Sequence, residues 1–196
     1  IAVCQDITVQ LDATGNVSIV VADLDNGSTD NCTPAANLTF NVVPNTFNCG
    51  DIGANPVTLT VTDLAGNSAN CVATVTVEDN IDPVITCPAN VIVDNDPGIC
   101  TKVVNGLAPT TSDNCSVSLQ TWTMSGATTG SSPAAGINDI SGTTFSSGVT
   151  TVTYRIEDPS GNFAECSFTV TVNETEDPVI TCPADVNVNT SDDGAG

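Results

Sequence analysis

The sequence predicts an all-β fold built from tandem β-sandwich repeats. Two observations support this prediction: short segments recur along the chain, and β-branched residues alternate with polar ones inside several of them. Alternation with a period of two is typical of strands that bury one face, and many short strands separated by turns favour a sandwich. No stretch shows the 3.6-residue period of an amphipathic helix.

The repeat is clearest around the cysteines. Residues 85–91 read ITCPANV, residues 180–186 read ITCPADV, and a looser version, AVCQDI, stands at 2–7. The cysteines of these three segments are 83 and then 95 residues apart. The chain is therefore a tandem array, and such arrays usually provide length, spacing or repeated binding surface.

These spacings divide the chain into a first repeat at 1–82, a second at 83–177 and the truncated start of a third at 178–196. The second repeat is longer by an insertion of 12 residues, placed within 125–142. We read the chain as an internal piece of a longer secreted protein.

Each repeat is expected to end in a hairpin. Alternating segments flank a turn that contains Gly-Asn, which is a strong hairpin signal. In the first repeat the strands are 57–62 and 71–77 around the turn at 63–67; in the second they are 152–156 and 166–172 around the turn at 158–162.

The charge is strongly acidic. Lys102 and Arg155 are the only basic residues against 23 acidic ones, five of them Glu and the rest Asp. Clustered Lys and Arg are needed to bind nucleic acid or anionic lipid, so neither partner is expected. No membrane span is visible in the sequence, so direct membrane insertion is not expected either. The Asp bias suits turns and oxygen-rich cation sites, and a salt-adapted surface is the alternative.

Nine cysteines without histidine or a Cys-x-x-Cys pair favour disulfides over zinc. A disulfide framework places the protein outside the cytosol, secreted or at the cell surface. Four cysteines allow three pairings. Because Cys32 and Cys71 have counterparts in the second repeat, we predict one pair in each repeat and a second pair from the leftover cysteines, with Cys182 unpaired. The predicted disulfides are Cys32–Cys71, Cys115–Cys166, Cys4–Cys49 and Cys87–Cys100.

The second repeat resembles the hyalin repeat (HYR) module. The matching segments are 82–88, 113–115, 148–154, 158–162 and 166–170. The resemblance implies an immunoglobulin-like β-sandwich in an extracellular, adhesive protein, and it supplies no catalytic residues. The cysteine-rich variant is similar to repeats of long surface adhesins of gliding, Bacteroidetes-type bacteria.

One junction between repeats carries candidate metal ligands. In a seven-strand sandwich, the loop after the second strand and the turn between the last two strands lie at the linker end, together with the segment 78–83. That segment also resembles the calcium-binding linkers of cadherin repeats. Ca²⁺ takes six to eight oxygen ligands, although Asp and Asn also serve as plain turn formers. The candidate calcium ligands are Glu78, Asp79, Asn80, Asp82, Asp113 and Asp158.

Catalysis is not expected. Without histidine and with a single lysine, a serine nucleophile has little to activate it. Two carboxylates suffice for a glycosidase, but nothing in the sequence indicates a large cleft. Trp122 stands just before the insertion and fits a core-filling role better than a sugar-stacking one.

The sequence therefore predicts a structural segment of an extracellular adhesin or surface filament, stiffened by disulfides and calcium. Its partners would be further copies of the repeat in the same chain, with surface glycans or other cell-surface proteins as further partners. The alternative is a glycan- or protein-binding accessory module of a secreted enzyme.

Overall fold

The computed structural model describes residues 1–185, which form two β-sandwich modules. The first module contains β1 (Ile7–Gln10), β2 (Asn16–Ser18), α1 (Val21–Leu24), β3 (Thr39–Val43), β4 (Thr46–Asn48), β5 (Gly53–Thr62) and β6 (Ser68–Glu78), with 3-10 turns at Ala35–Asn37 and Cys49–Asp51. The second contains β7 (Val84–Thr86), β8 (Val91–Asp94), β9 (Thr101–Val104), β10 (Thr110–Ser112), β11 (Leu119–Gly126), β12 (Gly130–Ser131), β13 (Thr143–Ser146), β14 (Gly148–Glu157) and β15 (Phe163–Asn173).

The main sheet of the first module has the strand order β1-β6-β5-β3, and β2 and β4 pair on the opposite side. The main sheet of the second has the order β12-β11-β14-β15-β8, faced by the pairs β7–β10 and β9–β13. In both modules the first strand of the main sheet runs parallel to the last strand, and the other pairs are antiparallel. The predicted immunoglobulin-like all-β fold is confirmed.

Each module has its own apolar core. Leu24, Val57, Leu59 and Val75 are fully buried in the first, and the second is filled by larger side chains such as Phe145 and Tyr154. The alternation read from the sequence is the cause, because residues of β5 and β14 point inward at every second position. The module boundaries after residues 82 and 177 stay predictions, and part of the segment 178–196 lies outside the described residues.

The two modules differ most in one connection between strands, which joins β3 to β4 in the first module and β11 to β13 in the second. Pro44 and Asn45 alone connect β3 to β4, whereas residues 127–142, including β12, connect β11 to β13. Trp122 on β11 is half-buried and packs against the core of the second module. It is therefore a packing residue, as expected.

The predicted disulfide pairing is wrong. The structure contains Cys4–Cys71, Cys87–Cys166 and Cys49–Cys115 in place of Cys32–Cys71, Cys115–Cys166, Cys4–Cys49 and Cys87–Cys100. Within residues 1–185, Cys32, Cys100 and Cys182 are exposed and unpaired.

The physical reason for the two pairings within modules is the register of the parallel strands. Val91 pairs with Val170, an offset of 79 residues, and the same offset separates Cys87 from Cys166. In each module the first strand of the main sheet, β1 or β8, lies beside the last strand, so the cysteine just before it meets the cysteine of that last strand. The predicted pairing rested on matching cysteine positions in the two repeats, and it took no account of the order of strands in the sheet, which decides which cysteines meet.

The third disulfide joins the two modules. Cys115 lies in the loop after β10. In this loop the carboxylate of Asp113 accepts hydrogen bonds from the backbone N–H groups of Cys115 and Ser116 at 2.9 and 2.8 Å. This turn directs Cys115 away from its own core and towards Cys49, which lies at the end of the first module. The Cα atoms of the two cysteines are 5.6 Å apart.

Candidate metal centre at the module junction

Three carboxylates meet where the modules join. Asp79 directly follows β6, Asp113 directly follows β10, and Asp158 directly follows β14. One oxygen of each side chain lies within 4.8 Å of the others. These three residues, called the junction triad below, belong to three segments that the sequence had placed at this end of the second module.

The junction triad is withdrawn from solvent. Asp79 is 4% exposed and Asp158 is 2% exposed, and Asp113 is half-buried. The two basic residues of the chain contact other acids: Lys102 pairs with Asp96, and Arg155 pairs with Glu157 and Glu165. In the part of the chain that the structure describes, no Lys or Arg pairs with the triad.

Hydrogen bonds hold all three members of the triad in place. Asp79 Oδ1 accepts from the backbone N–H of Ile81 at 3.2 Å and from the side-chain amide of Asn114 at 3.1 Å. One oxygen of Asp113 accepts the two backbone N–H groups of the following turn. Asp158 accepts from the backbone N–H of Asn162 at 2.9 Å and from its side-chain amide at 2.7 Å. The same Asn162 amide donates to the backbone carbonyl of Asp79 at 3.0 Å, which ties the turn at 158–162 to the linker.

Three oxygens without a hydrogen-bond partner make the junction a candidate cation site. Asp79 Oδ2, Asp113 Oδ1 and Asn114 Oδ1 are buried and have no hydrogen-bond partner among the described residues. Buried polar atoms are nearly always paired in folded proteins, so three unpaired oxygens at one place need an explanation. Carboxylate and amide oxygens are the donors that Ca²⁺ prefers, and the residues present therefore fit such an ion.

Electrostatics supports the same interpretation. Two ionised carboxylates about 5 Å apart repel each other by about 3 kcal/mol at an effective dielectric constant of 20, and the triad contains three such pairs. A divalent cation turns this repulsion into attraction, whereas hydrogen bonds from Asn114 and Asn162 offset only part of it.

The structure places the other predicted ligands outside the triad. The amide of Gln10 donates to Glu78 at 2.7 Å, and its carbonyl accepts from Asn80 at 2.7 Å. Both residues are exposed, as is Asp82. Because strand side chains alternate, Glu78 and Asn80 point away from the face that carries Asp79. Of the six calcium ligands predicted from the sequence, three therefore remain candidates: Asp79, Asp113 and Asp158.

Sequence reasoning missed two asparagines. Asn114 donates to Asp79 Oδ1 at 3.1 Å and keeps its own Oδ1 free, so it joins the candidate set. Asn162 positions Asp158. Both lie within the repeated motifs Asp-Asn-Cys and Asp-x-x-Gly-Asn, so their recurrence was the available signal.

The disulfide lies directly beside the triad. Cys49 Sγ is 3.6 Å from the carbonyl oxygen of Gly15 and 3.7 Å from that of Asn114. The side chain of Asn114 also reaches the carbonyl oxygen of Asp12, 3.4 Å away, on the first module. Covalent, polar and candidate metal contacts are thus concentrated at one junction.

The outer end of the first module carries a similar but incomplete arrangement. Asp30 accepts from the backbone N–H groups of Cys32 and Thr33, as Asp113 does in its own turn. Asp63 accepts from Asn67 through the same two groups that Asn162 offers to Asp158. The pKa of Asp30 is lowered mainly by the Cys32 N–H, and that of Asp63 mainly by the Asn67 amide. The triad has a third carboxylate from the linker, which has no counterpart here among the described residues.

The comparison with protein families places the second module. Residues 78–172 match the HYR domain. This range contains the whole junction triad.

Two hyalins are similar to this chain over much of its length. Hyalin of Lytechinus variegatus is 38% identical over 132 residues, which is 65% of this chain. Hyalin of Strongylocentrotus purpuratus is 34% identical over 157 residues, which is 76% of this chain. The chain spans 22% and 12% of the lengths of these two proteins.

Solved structures with a similar fold are more distant. The fibronectin(III)-like modules of Clostridium thermocellum CbhA share 15% identity and a TM-score of 0.34, covering 92% of this chain and 96% of theirs. Human mucin-like protocadherin EC1-2 shares 12% identity and a TM-score of 0.38, covering 87% and 97%. We draw no functional conclusion from likenesses this remote.

Proposed function

We propose that this chain is a structural segment of an extracellular adhesin or surface filament. In this role the sandwich modules act as a spacer and adhesion array, held at a fixed angle by a disulfide and by calcium at the junction. The observation that carries the proposal is the junction itself, where Cys49–Cys115 and the buried triad lie side by side. A protein that only needed two independent domains would not require either feature there.

The HYR match and the similarity to hyalins support an adhesive, non-enzymatic role. Three disulfides fit a secreted or cell-surface location. In the described part of the chain, no helix has the length and apolar character needed to cross a membrane. The partners we propose are further repeats of the same kind and other surface molecules.

Calcium is expected to hold the linker against the second module. Asp79 comes from the linker, whereas Asp113 and Asp158 come from the module that follows it. An ion bound to all three would fix the direction in which the first module leaves the second. The attraction of each carboxylate to the cation outweighs their mutual repulsion, so the closed junction becomes the favoured arrangement.

The test is a calcium titration of the chain, followed by thermal and chemical unfolding. With a dissociation constant in the extracellular range of roughly 10⁻⁴ to 10⁻³ M, 10 mM calcium should stabilise the folded state by about 1.4 to 2.7 kcal/mol. Magnesium, which prefers small octahedral sites, should stabilise less. No change with calcium or chelator would show that the acids are turn formers only.

Matched variants locate the effect. Asp158→Asn should remove most of the calcium response and leave the chelated protein as stable or more stable, because a buried repulsion is relieved. Asp63→Asn is the control, since Asp63 makes the same turn with Asn67 but lies at the outer end of the first module. Equal loss of the calcium response in both variants would contradict a site at the junction.

A further inference from the structure

Two of the unpaired cysteines, Cys32 and Cys100, lie at opposite ends of the two-module unit. Each occupies a position equivalent to one at the Cys49–Cys115 disulfide of the junction. Cys32 ends the segment Asp30-Asn31-Cys32, and Cys115 ends Asp113-Asn114-Cys115. In both turns the carboxylate accepts from the N–H of the cysteine at 2.9 Å. Cys32 is therefore the structural counterpart of Cys115, which is already bonded to the module before it.

Strand register identifies the counterpart of Cys100. In the first module Asn16 pairs with Asn48, and the residues just outside this pair are Gly15 and Cys49. In the second module Thr101 pairs with Ser146, and the residues just outside are Cys100 and Ser147. The backbone and side chain of Ser147 donate to the Cys100 carbonyl, so these two segments also run side by side.

The cysteine of this pair of positions therefore lies on one strand in the first module and on the partner strand in the second. The first module has Gly15 and Cys49, and the second has Cys100 and Ser147. A Cβ atom placed on Gly15 would lie 2.6 Å from Cys49 Sγ, so a side chain at that position points to the place where the junction sulfur lies. A cysteine on either strand can reach the same point at the end of the module.

The end of the second module that carries Cys100 also faces the next linker. The side chain of Glu176, which follows β15, accepts from the backbone N–H of Gly98 at 2.7 Å. Gly98 belongs to the turn that precedes Cys100. Cys100 is therefore placed beside the outgoing linker, as Cys49 is placed beside the linker at Asp79.

We propose that Cys32 and Cys100 are the two halves of further junction disulfides, each formed with a neighbouring module of the same kind. Cys32 would form a disulfide with a cysteine of a preceding module. Cys100 would form one with the cysteine in the Asp-Asn-Cys turn of a following module. Such head-to-tail contacts repeat without closing, which extends the array. The inference rests on the proposed spacer role and adds a covalent link at every junction.

The bond forms by thiol–disulfide exchange. The two cysteine thiols lose two protons and two electrons to a low-molecular-weight disulfide such as oxidised glutathione, whose S–S bond breaks to give two thiols. Both cysteines are exposed, so the oxidant can reach them.

A tandem protein tests this directly: residues 1–178 followed by residues 1–196, so that Ile1 of the second copy takes the place of Val179. This fusion keeps the spacing from linker to cysteine seen at the first junction. The junction variant retains Cys100 of the first copy and Cys32 of the second, with Cys182→Ser and with the other Cys32 and Cys100 changed to Ser. The control variant instead retains Cys32 of the first copy and Cys100 of the second copy, which lie at the far ends of the tandem.

Both variants are treated with oxidised glutathione in the presence of EDTA and then alkylated. The mass of each intact protein is measured. The junction variant should carry neither an alkyl nor a glutathionyl group and stay monomeric, whereas the control should carry two such groups, because a cysteine without a partner either stays reduced or stops at the mixed disulfide with glutathione. Two such groups on both variants, or covalent dimers in place of an internal bond, would overturn the inference. Because calcium is absent, this test can succeed when the calcium proposal fails, and the native Cys49–Cys115 bonds in both copies report correct folding.

Discussion

At the residue scale, Tyr154 ties the long loop of the second module to its core. The phenol is fully buried, accepts from the backbone N–H of Ile140 at 3.1 Å and donates to Asp139 at 3.2 Å. Its ring stacks on Phe168, with the ring centroids 6.3 Å apart. Burial is the main reason that the pKa of Tyr154 rises to about 12.

This raised pKa makes stability depend on alkaline pH. A tyrosine in the unfolded chain loses its proton near pH 10, whereas Tyr154 keeps it up to about 12. The stabilisation is therefore complete below pH 10 and is lost as the pH rises towards 12, by roughly 2 to 3 kcal/mol. Denaturant unfolding between pH 9 and about 12 measures it, and Tyr154→Phe should flatten the dependence.

Tyr154 is the only tyrosine in the chain, so its absorbance reports the ionisation directly. Tyrosinate should appear together with unfolding of the second module. Ionisation near pH 10 in a protein that remains folded would contradict the burial argument.

Gly15 is the residue of the first module that the junction constrains most closely. Its φ is +73°, and a Cβ atom there would lie 2.6 Å from both Cys49 Sγ and the carbonyl oxygen of Asn114. Gly27 has a similar φ of +87° and open space around it. The two positions share the backbone strain and differ in the contact.

Gly27→Ala should therefore cost about 1 to 2 kcal/mol of unfolding free energy, from the left-handed backbone alone. Gly15→Ala should cost more, and it should also widen the angle between the modules because Asn114 must move away. Denaturant unfolding and small-angle scattering of the two variants measure these effects. Equal costs and equal scattering would show that the modules do not press on Gly15.

At the element scale, sequence patterns predicted the positions of strands and turns better than they predicted which strands and cysteines pair. The alternation in 57–62 and 71–77 predicted the hairpin of β5 and β6, because each pattern needs only local information. The same reasoning placed Asp79, Asp113 and Asp158 at one end, since loops at one end of a sandwich converge. It could not separate Asp79 from Asp82, which is exposed, because that depends on how the linker turns after β6.

Disulfide partners depend on sheet order, which spacing does not encode. Matching repeats suggested that each cysteine finds its partner within its own repeat, and Cys49–Cys115 breaks that assumption. The array is periodic, so a contact between neighbouring modules repeats as regularly as a contact within one. Cysteine spacing alone cannot distinguish these two cases.

The disulfides within and between modules should have different effects on stability. Cys87–Cys166 closes a loop of 79 residues inside one sandwich, so replacing both cysteines by Ala should lower the unfolding free energy of the second module by about 4.5 kcal/mol. The double change Cys49→Ser with Cys115→Ser should leave the strand pairing of each sandwich intact, since this bond does not join two strands of one sheet.

Denaturant unfolding followed by Trp122 fluorescence measures the second module, which contains the only tryptophan. An unreduced peptide map should contain Cys4–Cys71, Cys87–Cys166 and Cys49–Cys115, with alkylated Cys32, Cys100 and Cys182. A map with Cys32–Cys71 would restore the pairing predicted from spacing.

At the scale of the whole molecule, two nearly separate cores meet at a narrow junction. Among the described residues of the second module, Cys115 is the one that packs against the first core. The linker from Asp79 to Pro83 is short, and Pro83 fixes its own φ and favours an extended Asp82. A chain with net charge −21 also repels itself, which disfavours side-by-side packing.

These features predict an extended rod. Strands of 10 and 11 residues at about 3.3 Å per residue make each module about 35 Å long, so two in line should give a maximum dimension of roughly 70 to 80 Å. Small-angle scattering in calcium should give this value with a narrow distribution. Removing Cys49–Cys115 by serine substitution and adding EDTA should broaden it, because both constraints on the angle are then lost. Either change alone should broaden it less, since the other constraint remains. A maximum dimension near 45 Å in calcium would mean modules folded back on each other, and the spacer role would then be wrong.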